Sequence, residues 1–178
     1  MNLFISGGCK NGKSSFAQKE AKRQAEEEGR PLYYVATMIP SDGEDRERIR
    51  RHIADREGWG FTTLERGWDI TGLLTRKGVD RDGVFLVDSV TALLGNEMFS
   101  EKGEINEAAP QRCAEDLARF AEMTGHSLFV SDFIYDDAHI YDELTEMYRR
   151  GLAYVDRTLA GICDRVIEVS FGCLEIWK

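Results

Sequence analysis

The sequence predicts an α/β fold: one mainly parallel sheet with helices on both faces and a C-terminal antiparallel hairpin. Three observations predict it. Short apolar runs alternate with helical patterns along the 178 residues, with no linker or repeat between them. Such alternation makes right-handed βαβ units, and this length suits one domain. The first apolar run, Leu3-Phe4-Ile5, leads into Gly7-Gly8-Cys9-Lys10-Asn11-Gly12-Lys13-Ser14, which has the pattern G-x-x-x-x-G-K-S. Near the end, Ile167-x-Val169-x-Phe171, then Gly172, then Leu174-x-Ile176 alternates with period two around a turn. Together these specify a P-loop NTPase-like (RecA-like) domain over residues 1–178.

In chain order, the expected strands are Asn2–Ser6, Leu32–Thr37, Phe61–Glu65, Val84–Asp88, Ser127–Ser131, Val166–Ser170 and Cys173–Trp177. Val84-Phe85-Leu86-Val87 and Leu128-Phe129-Val130 are apolar throughout, as strands buried on both faces are. The expected helices are Lys13–Glu28, Glu44–Glu57, a short one near Ile70–Lys77, Ile105–Thr124 and Tyr141–Cys163.

The first loop carries the strongest chemistry. Between a strand and a helix, its backbone N–H groups turn inward and the helix N-terminus adds partial positive charge. Gly7, Gly8 and Gly12 allow the tight path, and Cys9, Lys10 and Asn11 complete the cradle. Lys13 reaches outer phosphates, and the Ser14 hydroxyl is placed to ligate Mg²⁺. Nucleotide binding follows. Asp88 closes a buried strand, where open α/β sheets bind ligands. It is read as a second Mg²⁺ residue, acting directly or through water. The competing reading is a helix N-cap.

Spacing by four sets Glu44, Arg48, His52 and Arg56 along one helical stripe, beside an apolar seam of Ile49 and Ile53. Arginines one turn to each side disfavour imidazole protonation and would hold a phosphate against it. A neutral imidazole attacking an α-phosphate gives a nucleotidyl-histidine and pyrophosphate. On spacing alone a solvated charged helix with an incidental histidine is the favoured reading, because charge runs are usually solvent faces.

The other candidates have plainer readings. His126 is a turn residue, and His139 among Asp136, Asp137 and Asp142 is a polar loop. Trp59, Trp68 and Trp177 are read as packing residues. Cys9, Cys113, Cys163 and Cys173 lack zinc spacing and are read as reduced thiols, Cys9 as a small filler. The net charge of -9, with no basic tail, argues against nucleic acid as a partner. The opening residues lack a basic n-region, and no apolar stretch is long enough for a membrane span. A cytoplasmic location is expected.

At this point the chain resembles the bifunctional adenosylcobinamide kinase/adenosylcobinamide-phosphate guanylyltransferase family of cobalamin biosynthesis. The opening Ile5-Ser6-Gly7-Gly8-Cys9-Lys10-Asn11-Gly12-Lys13-Ser14 matches that family's first strand and loop, and Tyr34-Val35-Ala36-Thr37 its second strand. Glu44, Arg48-Ile49 and His52 fall on its E-x-x-x-R-I-x-x-H pattern. Thr63 and Glu65 fit its T-x-E with one extra residue before them. Asp88-Ser89-Val90-Thr91, Leu94, Asn96 and Phe99 match D-x-x-T-x-x-L-x-N-x-x-F.

The resemblance implies that the loop binds GTP phosphates and that His52 becomes GMP-linked. It implies guanine-nucleotide contacts at Ala36, Thr37, Met38, Ile53, Ala54, Asp55, Arg56, Glu65 and Asp88. The implied reactions are phosphorylation of adenosylcobinamide, with GTP or ATP as donor, and GMP transfer onto that phosphate. A homo-oligomer, by resemblance a trimer, is also implied. After the fifth strand the family's N-E-V-G-x-G-x-x-P is replaced by Ser131-Asp132-Phe133-Ile134-Tyr135-Asp136-Asp137-Ala138-His139. Only the acidic position survives, as Asp132. In the last helix Ala153 and Asp156 stand where the family has glycine and asparagine. Lost glycines change backbone geometry, so the corrinoid-facing side is where this chain is expected to differ. The alternatives are a P-loop kinase of another small metabolite without a covalent step, and a guanine-nucleotide-binding regulatory protein.

Overall fold

The computed structural model describes the chain apart from Ser41, Asp42, Asp55, Glu101, Lys102 and Asp136, and the side chains of Glu44, Asp45, Arg46, Arg48, Arg51 and His52. The strands are β1 (Leu3–Ser6), β2 (Leu32–Ala36), β3 (Thr62–Glu65), β4 (Val84–Asp88), β5 (Ser127–Val130), β6 (Arg165–Ser170) and β7 (Cys173–Ile176). Each lies within one residue of its expected ends. The helices are α1 (Lys13–Glu28), α2 (Gly43–Ala54), α3 (Val90–Met98), α4 (Ala109–Thr124) and α5 (Glu143–Ile162), with a 3₁₀ segment at Ile70–Thr75.

The seven strands run in the order β3-β2-β4-β5-β1-β6-β7. Pairing is parallel from β3 through β6 and antiparallel between β6 and β7. Phe171 (φ 53°) and Gly172 (φ 76°) form the β6–β7 turn. Two successive positive φ angles match the twist of a hairpin.

One face of the sheet is covered by α1, whose Ala17, Ala21 and Ala25 recur every four residues and are buried. Their small side chains bring the helix close to Tyr34, Leu86 and Leu128, which share that apolar cluster. The opposite face carries α3, α4 and α5 over Phe85, Phe129 and Val87. The sheet is therefore buried on both sides, as its continuous apolar strands require.

Three helices differ from the expectation, the first of them α2, which ends at Ala54 rather than Glu57. The nine-residue α3 has no counterpart among the expected helices. Its Val90, Leu93, Leu94 and Met98 are all buried, and Ser89 Oγ caps it by accepting from Ala92 N–H. A helix this short gains its stability from tertiary packing rather than propensity. The next helix was expected from Ile105 but starts at Ala109, with Pro110 in its first turn, a favoured position for proline. Ile105 instead makes an antiparallel bridge with Phe99.

Candidate functional site

The G-x-x-x-x-G-K-S segment spans β1 to the first turn of α1. A Cβ at Gly7 would lie 2.2 Å from the Val169 carbonyl oxygen, so β6 leaves room only for glycine there. Lys10 (φ 59°) and Gly12 (φ 90°) take left-handed conformations that wrap the loop. Gly12 O accepts from Phe16 N–H at 3.0 Å and starts the helix. Cys9 is exposed, which corrects its reading as a filler.

Lys13 is buried, with only 6% of its surface exposed. Its Nζ donates to Gly8 O at 2.7 Å and to Asp132 Oδ1 at 2.8 Å. Asp132 lies two residues past the end of β5, the strand between β1 and β4. Its own N–H donates to Thr91 Oγ1 at 2.8 Å, and Phe133 N–H donates to Gly7 O at 2.9 Å. The segment after β5 is thus tied to the phosphate loop on one side and to α3 on the other. Asp132 was absent from the expected site residues. Its signal is an acidic residue just past the carboxyl end of an apolar strand, where open α/β sheets bind ligands.

Asp88 ends β4, in register with Ala36 of β2 and Val130 of β5. Its Oδ2 accepts from Tyr34 O–H at 3.0 Å. The helix cap beside it is Ser89, so Asp88 is not the N-cap of α3. With β5 intervening, Asp88 stands two strand spacings from β1, roughly 10 Å.

Thr37 is fully buried. Its hydroxyl accepts from Ser89 N–H at 2.7 Å and donates to Ser89 O at 2.8 Å. Asn96 Nδ2 donates to Thr37 O and Gly67 O at 2.8 and 2.9 Å. These bonds lock the carboxyl ends of β2 and β4 to α3 and the segment after β3. Ala36 and Met38 are half-buried beside them, and Glu65 is exposed at the end of β3.

Arg56 departs from the expected stripe. Helix α2 ends at Ala54, and Arg56 N–H closes a turn onto Ile53 O at 3.1 Å. The Arg56 side chain returns to the sheet and stacks on Tyr34, its Cζ 3.4 Å from the ring centroid. It is 6% exposed, and its Nη1 is buried without a hydrogen-bond partner among the described residues. A buried guanidinium with an orphan donor suits an anion. Ile53 and Ala54 are exposed at the helix end. His52 and Arg48 belong to α2, but their side chains, like all of Asp55, lie outside the described residues.

The remaining candidates fall away from this edge. His126 follows the α4 cap Gly125, and His139 N–H donates to Asp137 in the segment before α5. Asp142 caps α5, accepting from Thr145 N–H at 3.0 Å. Trp68 and Trp177 are 57% and 65% exposed, which corrects their reading as packing residues. The segment that lacks the expected glycines is pinned by α5. Arg149 Nε donates to Ile134 O at 3.0 Å and Tyr135 O–H to Asp156 Oδ2 at 3.1 Å.

A model of the family described as cobinamide kinase / cobinamide phosphate guanyltransferase matches residues 3–175. The chain belongs to this family. It is 28% identical over 172 residues to the bifunctional adenosylcobalamin biosynthesis protein CobP of Pseudomonas aeruginosa, covering 97% of this chain and 94% of that protein. Two solved structures share the fold. The flagellar accessory protein FlaH of Methanocaldococcus jannaschii has a TM-score of 0.54 at 14% identity, over 99% of this chain and 77% of that one. The ATPase domain of G40P has a TM-score of 0.54 at 11% identity, over 94% of this chain and 68% of that one. The fold is thus P-loop and RecA-like. Family membership makes the protein a kinase and guanylyltransferase of cobalamin biosynthesis that uses a nucleotide and a corrinoid substrate. Among the described residues, no helix is long and apolar enough to cross a membrane.

Proposed function

We propose that both reactions run at the carboxyl edge of β1, β5, β4 and β2, on one guanine-nucleotide site. The observation that carries this is the convergence of Lys13, Asp132 and Asp88 on that edge, with Arg56 joined to it through Tyr34. In the kinase step the corrinoid side-chain hydroxyl attacks the γ-phosphorus of the donor, GTP or ATP: an O–P bond forms, the β–γ bridge breaks, nucleoside diphosphate leaves and the hydroxyl proton passes to solvent. Lys13 balances the charge on the outer phosphates. In the transferase step the His52 imidazole attacks the α-phosphorus of GTP. An N–P bond forms, the α–β bridge breaks and pyrophosphate leaves. A phosphate oxygen of adenosylcobinamide phosphate then displaces the imidazole, giving adenosylcobinamide-GDP.

Arg48 and Arg56 neutralise phosphate charge during attack. Gly7 to Ser14 cradle the phosphates, while Ala36, Thr37, Met38, Ile53, Ala54, Asp55 and Glu65 line the nucleoside end. Ser14 and Asp88 would hold Mg²⁺. Their oxygens suit a hard cation that keeps several waters, and the bound ion would neutralise phosphate charge. The exposed Leu174, Ile176 and Trp177 of the C-terminal edge support a homo-oligomer, a trimer by resemblance.

The test is incubation with α-labelled GTP and Mg²⁺, followed by adenosylcobinamide phosphate. The protein takes an acid-labile, base-stable label and passes it to the acceptor. A label that persists in His52→Ala removes the covalent role.

A further inference from the structure

A cavity of about 350 Å³ lies between α5, β1, β6 and the segment after β5. Its walls include Phe4, Ser6, Phe133, Tyr135, Asp156 and Trp177. Two oxygens of its lining residues are buried without a partner among the described residues, Ser6 Oγ and Asp156 Oδ1. Asp156 is 2% exposed. Its other oxygen, Oδ2, accepts from Ser131 O–H at 3.0 Å and from Tyr135 O–H at 3.1 Å. A folded chain rarely leaves such atoms unmatched, so each calls for an explanation.

The cavity adjoins the phosphate loop. Ser6 directly precedes Gly7, and Phe133 donates its N–H to Gly7 O. Asp132, beside Phe133, accepts from Lys13. Ala153 and Asp156, the helix positions that depart from the family pattern, both line it.

We infer that this cavity receives a carboxamide arm of the corrinoid acceptor. The inference rests on the family reading of that acceptor, a corrinoid fringed with amides. Two features select the ligand chemistry. The lining carries Arg157 and Glu168, whose opposite charges favour neither an anion nor a cation, and the two orphan oxygens disfavour a purely apolar group. Burial pushes the Asp156 carboxyl up to about 7, so near neutral pH its Oδ1 either donates or accepts. A carboxamide carries both N–H donors and a carbonyl acceptor, so it matches Asp156 in either state and the Ser6 hydroxyl as well. Phe4 and Phe133 supply apolar contact for the arm.

Calorimetric titration of adenosylcobinamide and of GTP, with KM and kcat for each, tests this on the intact protein. The variants are Ser6→Ala, Asp156→Ala, Asp156→Asn and Ala153→Leu, the last filling the cavity from a half-buried helix position. Asp156→Ala and Ala153→Leu weaken cobinamide binding roughly tenfold, the size of one lost buried hydrogen bond or a blocked site. GTP affinity and kcat stay within about twofold, a split that general damage to the fold would not produce. Asp156→Asn, which keeps a donor and an acceptor, retains most of the affinity. If the wild type binds cobinamide and the variants bind it equally well, the inference is overturned while the family reading stands. A wild type that binds GTP but no cobinamide overturns both.

Discussion

The ammonium of Lys13 lies 2.8 Å from Asp132 Oδ1 and 2.7 Å from Gly8 O, at the site proposed for triphosphate. Asp132 thereby compensates a charge that burial would otherwise penalise. Phosphate oxygens compete for the same ammonium. Asp132 is 29% exposed, so solvent weakens the pair. Asp132→Asn is expected to lower the stability of the nucleotide-free protein by roughly 1–3 kcal/mol. For a chain of this size that is a fall of about 2–12 °C in Tm. Saturating GTP should then raise the variant's Tm by more than the wild type's, because the phosphates restore what Asn cannot. Thermal scans with and without GTP decide it, and equal GTP shifts in both proteins would rule out the exchange.

Arg56 links a second pair of residues to the same edge. Its guanidinium carbon sits 3.4 Å from the ring centroid of Tyr34, whose hydroxyl donates to Asp88. Its Nη1 is buried with no partner among the described residues, so the positive charge contributes little to folding. Arg56→Met keeps the packing stem and is expected to leave stability within about 1 kcal/mol of wild type. GTP affinity should nevertheless fall at least roughly tenfold. Arg56→Lys should fail to restore it, since an ammonium lacks the planar fork. Wild-type GTP binding by Arg56→Met would refute the role.

Asp156 should leave a signature in the pH dependence of stability. Burial raises its carboxyl to about 7, against the hydrogen bonds from Ser131 and Tyr135, while nearby Asp132 adds to the rise. Below pH ~3 the carboxyl is protonated in the folded and unfolded chain alike. Between about 4 and 7 the unfolded chain releases the proton and the folded one keeps it, so this group lowers stability as pH rises. The full effect is on the order of 4 kcal/mol. Asp156→Asn does not titrate. Its stability relative to wild type should therefore rise between pH 4.5 and 7.5. Urea denaturation at the two values measures the difference, and parallel pH profiles would show that Asp156 ionises normally.

The sequence by itself determined the elements and the loop chemistry. Apolar runs, glycine positions and a lysine beside a helix start are local facts, and local sterics and hydrogen bonding convert them into strands, turns and a phosphate cradle. That is why every strand and the whole of α1 were legible, and why the family pattern was recognisable from its motifs. Tertiary structure decided the rest. Helix α3 exists because the sheet buries its apolar side, a long-range term that a propensity pattern does not contain. Arg56 left its helical stripe because α2 ends two residues earlier and the Tyr34 ring offers a buried face to stack on. Asp132 meets Lys13 because strand order sets β5 beside β1, although 119 positions separate the two residues in the chain. Charge compensation and cavity shape depend on distances through space, and those are settled only when the chain has packed.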